Sequence, residues 1–352
     1  MLILPAPASS LARPQLAPMA TVTVVVPHWN RRELLEPLLK RLRLQTYPIG
    51  EIVVVDNGSS DGSAEHAEAL GARVIRLDRN YGFSRAVNRG VAEAATELVV
   101  IINNDVAPAE DWLERLVRAL ARGGNDAWFA GGRLMQAGRE EYLDGSFDLL
   151  CRGGTAWRAG KGRRYGSVWE EPRRAWSVPM TAALFRTELF RRVGGLEESF
   201  ESYLEDVEFG LRCAVHGYRG LYVPEAAAVH AGSATLGPWH AETTRRIARN
   251  QVWLIARHQP EFWLGRYRRQ VWTAQLLWGL VALRHGAFLA WLRGKWEGIR
   301  GFRAVRDGSG GDGAALDAIL EDQEQLILEL QRETGFDAYW RWYFRLAGRR
   351  RG

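Results

Sequence analysis

Four short polar clusters in this sequence hold the residue types that do chemistry. Pro27-His28-Trp29-Asn30 follows the run Thr21–Val26, TVTVVV. Asp56-Asn57-Gly58-Ser59-Ser60-Asp61-Gly62 follows Glu51–Val55, EIVVV. Asn103-Asn104-Asp105 follows Glu97–Ile102, ELVVII. Each begins where a β-branched apolar run stops, and such runs read as strands. Glu205, Asp206 and Glu208 form the fourth cluster, at the start of a helical segment that runs to His216. The positive end of a helix dipole stabilises ionised carboxylates in the first turn. A carboxylate held there can take the proton of an attacking hydroxyl, which is general-base chemistry.

The elements that must position these clusters alternate along the first hundred residues. Arg31–Gln45 carries leucines at 34, 35, 38, 39 and 42, a helical stripe. Asp61–Leu70, Ser84–Ala94 and Glu110–Arg122 read as further helices, and Arg73–Leu77 as a strand. The strands are nearly continuous apolar runs, so both faces should be buried. That pattern predicts an α/β fold, a mostly parallel sheet with helices on both faces. Ligands of such sheets bind beyond the carboxyl ends of the strands. The first three clusters should therefore converge on one rim. Gly123–Trp176 has weak periodicity and is expected to form loops and short strands around a pocket. Ala182–Val193 reads as a strand into a helix, Arg219–Val223 as a strand, and His230 as following a short loop beyond it.

The composition excludes several classes. Of 352 residues, 47 % are hydrophobic and 25 % charged, an ordinary globular balance. The net charge of +6 does not announce a nucleic-acid binder, and none is expected as a partner. Cys151 and Cys213 lie far apart and form no CxxC, which fits a reducing, cytoplasmic compartment. The longest uncharged apolar stretch, Gln270 to Leu283, is shorter than the roughly 20 residues a membrane span needs. Residues 1–19 are rich in Pro and Ala and are expected to be a disordered extension. Met19 stands directly before the first strand, so 1–18 read as an upstream extension or a misplaced start.

Five segments, in order, resemble glycosyltransferase family 2. VTVVVPHWN is similar to the family's opening strand and turn, and EIVVVDNGSSDGS to its second-strand signature. RLDRNYGFSRAVNRGV resembles its N-x-G-x-x-x-A-x-N-x-G segment. IINNDV stands where the family has a D-x-D-like motif, and VGGLEESFESYLEDVEFGLRCAVHGY resembles its G-G-F-D-E, E-D and R-x-x-x-x-G-Y block. The resemblance covers residues 21–235 and is strongest to bacterial rhamnosyltransferase-type members. It implies the GT-A fold, a Rossmann-like sheet, here with a helical C-terminal extension. It also implies an inverting transfer from a nucleotide-diphospho-sugar, with dTDP-rhamnose the best single guess, to a cell-surface glycan or lipid-linked acceptor.

The residues can be assigned within that expectation. Asp56 can accept from the N3–H of uracil or thymine and from ribose hydroxyls; as a plain turn aspartate it would cap the next helix, a role that suits Asp61 better. Pro27, His28, Asn30, Asn57 and Asn104 line the same strand ends. His28 and Trp29, where relatives more often have Thr-Tyr or Asn-Tyr, either stack on the base or pack. Arg85 and Asn88 either touch base, ribose or phosphate or are ordinary surface-helix residues. Asp105 and Asn103 are the expected metal site, for Mg²⁺ or Mn²⁺ bridging the diphosphate. Asn103 replaces the first acidic residue of the motif, so only Asp105 is anionic. The resemblance lets His230 ligate that metal or contact the diphosphate, or it is structural. It points to Asp206, the second member of the Glu205-Asp206 pair, as the base. Thr181-Ala182 stands where relatives usually show Gly-Ala, which narrows the sugar or acceptor pocket.

Other readings are poorer. GxGxxG after the first strand, GxSxG and Q-x-x-R-W are all absent, and Gly160-Lys161-Gly162 lacks the hydroxyl residue of a phosphate-binding loop. A nucleotidyltransferase should carry a Gly-rich basic loop after the first strand. A silent nucleotide-sugar-binding scaffold would not need the Glu205-Asp206 pair. Residues 20–240 form the expected catalytic domain, 241–306 a basic Trp-rich helical region, and 307–352 a Gly-rich linker, an acidic helix and a basic-aromatic tail. Residues 263–306 hold nine Lys/Arg, one acid and five Trp. Trp272, Leu276, Leu280, Leu283, Ala287 and Trp291 share one helical face. That face is expected either on an anionic membrane surface, peripheral on the inner face of the cell membrane, or packed on the catalytic domain or on the second subunit of a homodimer.

Overall fold

The computed structural model describes residues 20–124, 126–232, 239–306 and 313–347. The expectations for 1–19, the Gly-rich linker at 307–312 and the tail end at 348–352 lie outside the described residues.

The first half alternates as the apolar runs require. The order is β1 (Val22–His28), α1 (Arg32–Arg43), β2 (Glu51–Asp56), α2 (Ser63–Ala69), β3 (Arg73–Arg76), α3 (Phe83–Ala92), β4 (Leu98–Ile102), β5 (Val106–Pro108) and α4 (Trp112–Arg122). Next come β6 (Ala127–Gln136), β7 (Arg139–Gly145), β8 (Asp148–Leu150), β9 (Ala156–Arg158), β10 (Arg173–Ala175), β11 (Ala182–Arg186) and α5 (Thr187–Val193). Then follow α6 (Glu205–Val215), β12 (Arg219–His230), α7 (Ala241–Arg257), α8 (Pro260–Arg266), α9 (Arg268–Arg284), α10 (Phe288–Gly301), α11 (Gly313–Thr334) and α12 (Ala338–Ala347).

Among the described residues one large sheet runs β10-β12-β6-β11-β4-β1-β2-β3, with β5 on β12 and β7 on β6. β3, β2, β1 and β4 are parallel, as are β12 and β6, and β11 lies antiparallel between β4 and β6. Side chains of a strand alternate between faces. Val24 and Val26 of β1 pack with the leucines of α1 and α4 on one face, and Val25 packs with Ala86 and Val87 of α3 on the other. Each such buried valine contributes about 1.5–3 kcal/mol. The mostly parallel sheet with helices on both faces is thus present.

Two elements differ from the sequence expectation. The span 123–176, read as loops and short strands, contains β6, ten residues between β12 and β11 in the middle of the sheet. Its pattern hides because Gly131-Gly132 and Arg133 interrupt the apolar run; a Cβ on Gly132 would lie 1.9 Å from the Ala226 carbonyl oxygen. β12 runs on past Val223 as far as His230. A register shift between Val223 and Ala227 accommodates Pro224 inside it.

The C-terminal helices pack back onto this body. Gln323 of α11 accepts from the Leu150 N–H at 2.9 Å, and Glu324 pairs with Arg152. Tyr343 and Trp340 of α12 join the core that holds Phe147 and Trp157. Among the described residues no helix is long and apolar enough to cross a membrane.

Candidate active site

The strand ends meet as the parallel register demands. His28 and Asp56 are register partners at the ends of β1 and β2. Both are buried, and the Asp56 carboxylate accepts from the Ser59 N–H at 3.3 Å. Pro27 lies half-buried beside Val55. Asn104, past the end of β4, donates from Nδ2 to Nδ1 of His28 at 2.7 Å. Burial pushes the His28 imidazole down to about 4, so it stays neutral with its proton on Nε2. That Nε2 is buried without a partner among the described residues.

Three amides named from the sequence are engaged within the protein. Asn30, in left-handed backbone at φ 53°, accepts from the Ser60 N–H, and its own N–H donates to Ser59 Oγ. Asn57 donates to Asn80 and Gly82 and accepts from the Tyr81 N–H. Asn88 makes a two-way bond with the Leu196 backbone, at 2.8 and 2.7 Å. They shape the rim rather than present free groups to it. Arg85 differs: it lies exposed over the Tyr81 ring at 3.9 Å, and its one ion pair among the described residues is a long 3.9 Å contact to Glu198. Asp61, expected as the helix cap, instead lies one residue before the N-cap Gly62, where it accepts from the Ser63 and Arg32 N–H groups.

Asp105 and His230 come together through β5, whose Val106 faces His230 in the antiparallel register with β12. His230 Nε2 lies 3.3 Å from Asp105 Oδ1, and Nδ1 lies 2.8 Å from Asp144 Oδ2. Burial alone would lower this imidazole, but the Asp105 and Asp144 carboxylates outweigh it and hold it up at about 9. Burial works to raise Asp144, yet His230 and Lys161, at 3.4 Å, keep it well below the usual carboxylate range. Asn103 contributes backbone, its N–H donating to the Thr181 carbonyl. Among the described residues no three His, Cys, Asp or Glu side chains are grouped to hold a metal unaided. The Asp105 carboxylate beside the His230 ring nevertheless fits a divalent cation that also takes phosphate oxygens and water, the imidazole ligating once it gives up its Nε2 proton. A carboxylate behind the imidazole, here Asp144, is the usual outer support of a metal-binding histidine.

From Asp144 the polar chain continues inward. Arg158 of β9 feels the Asp144 charge and grips its register partner Asp148 at 3.1 Å. It also reaches Asp206 Oδ2 at 3.2 Å. The Val207 N–H donates to the other carboxylate oxygen, Oδ1, at 2.9 Å. The first-turn position predicted a readily ionised Asp206. Instead burial, then the Asp148 charge, raise it to about 6 against the pull of Arg158. Burial outweighs the helix dipole because Asp206 sits inside the protein, where the dipole's help is smaller than the lost hydration. Glu205 is also buried, its carboxyl is raised well above the usual range, and its Oε2 has no partner among the described residues. Glu208 belongs elsewhere, buried among Arg212, Arg257 and His258.

The turn that delivers Asp206 is strained. Glu201, Tyr203 and Leu204 all have left-handed φ, between 59 and 74°. Asn250 of α7 holds it, donating to the carbonyls of Phe200, Ser202 and Tyr203 at 2.8–3.0 Å, while Arg249 reaches Glu201. The start of α3 abuts the same turn: the Ser84 N–H donates to the Glu201 carbonyl at 2.9 Å. Gly82 permits that approach, since a Cβ there would lie 2.7 Å from the same oxygen. Asp144, Arg158 and Asn250 were not legible in the sequence. The first two lie in the span read as loops, and Asn250 in a helix read only as basic.

The chain is similar to known proteins in sequence and in fold. The chain is 31 % identical over 223 residues to the succinoglycan biosynthesis protein ExoA of Rhizobium meliloti, covering 61 % of this chain and 64 % of that one. It is 26 % identical to the N-acetylglucosaminyl-diphospho-decaprenol L-rhamnosyltransferase of Mycobacterium tuberculosis, over 71 % of this chain and 87 % of that one. The chain spans less than two thirds of ExoA and only 20 % of another matched relative. In fold it is similar to the crystal structure of GalNAc-T7 with UDP, GalNAc and Mn²⁺, at a TM-score of 0.59, 14 % identity and coverage of 93 % of this chain and 56 % of that one. The fold is GT-A. Residues 23–194 match the sequence model of glycosyl transferase family 2, and the chain carries a domain of that family.

Proposed function

We propose that this chain is an inverting glycosyltransferase. It moves a sugar from a nucleotide-diphospho-sugar to a hydroxyl of a cell-surface glycan or lipid-linked saccharide. The observation that carries this reading is a row of polar side chains leading from the strand ends to the buried base: His28 meets Asn104, the next residue Asp105 meets His230 and through it Asp144, and Arg158, which feels the Asp144 charge, holds Asp206. One end offers donors suited to a diphosphate and its cation. The other offers a carboxylate whose affinity for protons suits a base near neutral pH.

The roles follow the chain. Asp56 accepts from the base or ribose, with Pro27, His28, Asn30 and Asn57 shaping that part of the rim. Asp105 and His230 would hold a divalent cation, Mg²⁺ or Mn²⁺, with Asn103 and Asn104 beside them. When bound, that ion neutralises charge on the departing nucleoside diphosphate. Arg85 reaches the phosphates or the nucleoside, and Asn88 steadies its helix. Asp206 removes the acceptor's proton as its oxygen attacks the anomeric carbon, and the bond to the diphosphate breaks on the opposite face. The configuration there inverts. Glu205 sets a second buried carboxyl next to the base in the chain, and burial and the Asp206 charge raise it.

The catalytic unit in this reading is 20–240, with the later helices packed on it. One relative is named for succinoglycan biosynthesis, and the mycobacterial one is by name a rhamnosyltransferase acting on N-acetylglucosaminyl-diphospho-decaprenol. For that reason we place dTDP-rhamnose first among donors and the reaction in the cytoplasm, at the inner face of the membrane. A thermal-shift screen of nucleotide sugars with Mn²⁺ or Mg²⁺ tests the donor, because a ligand stabilises the form it binds. One nucleotide sugar should raise Tm, and more so with the cation. A flat response across the panel counts against the reading, and a product of retained anomeric configuration rejects the inverting mechanism.

A further inference from the structure

We infer that the α9–α10 hairpin is a seat for an anionic lipid surface. The sequence reads a single helical face from Trp272 to Trp291. The chain instead turns at His285-Gly286-Ala287, where Gly286 has φ 73°, so the apolar stripe is divided between two helices. Gln275 of α9 meets Lys295 of α10, and Trp291 covers Gly279. Pairs that close in step around residue 285 make the hairpin antiparallel.

Each helix has two apolar faces, and the fold uses one of them. Behind α9, Ala274 and Ala282 are buried, Tyr339 of α12 donates to the Ala274 carbonyl, and Trp278 lies against Trp239. Behind α10, Gly294 and Gly298 press on Ala248 and Val252 of α7. The opposite row of α9 is Trp272, Leu276, Leu280 and Leu283. On α10 it is Leu289, Leu292, Trp296 and Ile299. All eight are exposed, by 43 to 79 %. At 3.6 residues per turn each row lies roughly a quarter turn from the seam between the helices. The displacement has the same rotational sense on both, and in an antiparallel pair that puts both rows on one side. A patch this large on a monomer marks an interaction surface.

Charge selects the occupant. By helical spacing Arg269 and Arg284 lie beside the α9 row and Arg293 and Arg300 beside the α10 row, and Arg303 follows the end of α10. The one acid of this region, Glu297, is taken up by Arg245 and Arg293. Arg269, Arg284, Arg300 and Arg303 have no carboxylate partner among the described residues. A second copy docked through this face would set these arginines against one another with no acid in reply. Anionic headgroups answer them, while the leucines and the tryptophans enter the interfacial layer. The opposite face of α10 rests on α7, whose Asn250 holds the Asp206 turn. A membrane-bound hairpin therefore fixes the direction of the cleft. Binding to lipid stands by itself; its use, bringing the base to a lipid-linked acceptor, rests on the function proposed above.

The test is sedimentation of the full chain with phosphatidylcholine vesicles, with and without phosphatidylglycerol, at low and high salt. Wild type should bind the anionic vesicles and release them with salt. Leu276→Glu with Leu280→Glu should lower partitioning at least tenfold. Arg293→Glu with Arg300→Glu should lower it by roughly fivefold or more per arginine, on anionic vesicles only. Donor binding, measured separately by thermal shift, should be unchanged in both variants, so failure here is distinct from failure of the proposed activity. Absence of wild-type binding, or binding indifferent to both double variants, overturns the inference. So does a wild-type dimer in light scattering that the leucine variants split while vesicles are ignored, which would assign the face to a second copy.

Discussion

Arg158 joins two carboxylates that the chain keeps far apart, gripping Asp148 at 3.1 Å and Asp206 at 3.2 Å. Asp148 and Arg158 face each other in the β8–β9 hairpin, and Asp206 opens α6. The guanidinium thus positions the proposed base and favours its charged form against burial and the Asp148 charge.

The pH dependence follows with a definite sign. The reaction needs Asp206 ionised, and its carboxyl titrates at about 6, so kcat/KM should rise with pH through that region. Arg158 favours the ionised form. Arg158→Gln should move the acid limb to higher pH and cut activity at neutral pH severalfold, and Arg158→Lys should restore part of it. A limb that stays put in the glutamine variant removes Asp206 from the role of base.

Removing the base separates turnover from stability. Asp206→Asn should lower kcat by about 10²–10⁴-fold and leave donor binding near wild type. Folding raises this carboxyl from 3.8 to about 6, so its contribution is full below the unfolded value and lost as pH rises through the folded one. The asparagine variant should therefore equal or exceed wild type in Tm at pH 8. Calorimetry beside steady-state kinetics checks both halves.

The cation site can be probed from its second layer. Asp105→Ala should abolish stimulation by Mn²⁺ or Mg²⁺. Asp144→Asn leaves both proposed ligands in place but loosens the His230 ring, and should weaken metal affinity about 10–100-fold. Titrating Mn²⁺ by electron paramagnetic resonance reads this directly. Affinity unchanged in both variants would move the site elsewhere.

The strained turn predicts a distant variant with a local effect. Asn250→Ala removes three hydrogen bonds to the 200–203 carbonyls, and a buried group left unpaired costs about 1–3 kcal/mol. We expect a lower Tm and a fall in kcat larger than the rise in KM for donor, because Asn250 touches the base's turn and not the donor rim. Equal losses in both constants would point to general unfolding.

Much of this architecture was legible in the residues themselves. The strands β1, β2 and β4 announce themselves as apolar runs with polar ends, and the parallel register then gathers Asp56, Asn104 and Asp105 without further information. His230 was legible as a partner of Asp105 only through the family resemblance; the contact itself depends on β12 continuing through Pro224. β6 escaped because Gly131-Gly132 and Arg133 interrupt the kind of apolar run that announces β1, β2 and β4. Arg158 escaped for a different reason. Its meaning lies in partners from three separate elements, and a single arginine between Trp157 and Ala159 carries no trace of them. The faces of α9 were readable as apolar on both sides, and only packing decides which side the protein covers.

The most direct test of the central claim is nucleoside diphosphate release from a panel of nucleotide sugars with Mn²⁺, wild type against Asp206→Asn, with donor binding measured in parallel. The polar chain from strand ends to base predicts one donor that wild type consumes and the variant binds but does not turn over. Turnover by the variant at the wild-type rate, or no nucleotide sugar bound by either protein, would contradict it.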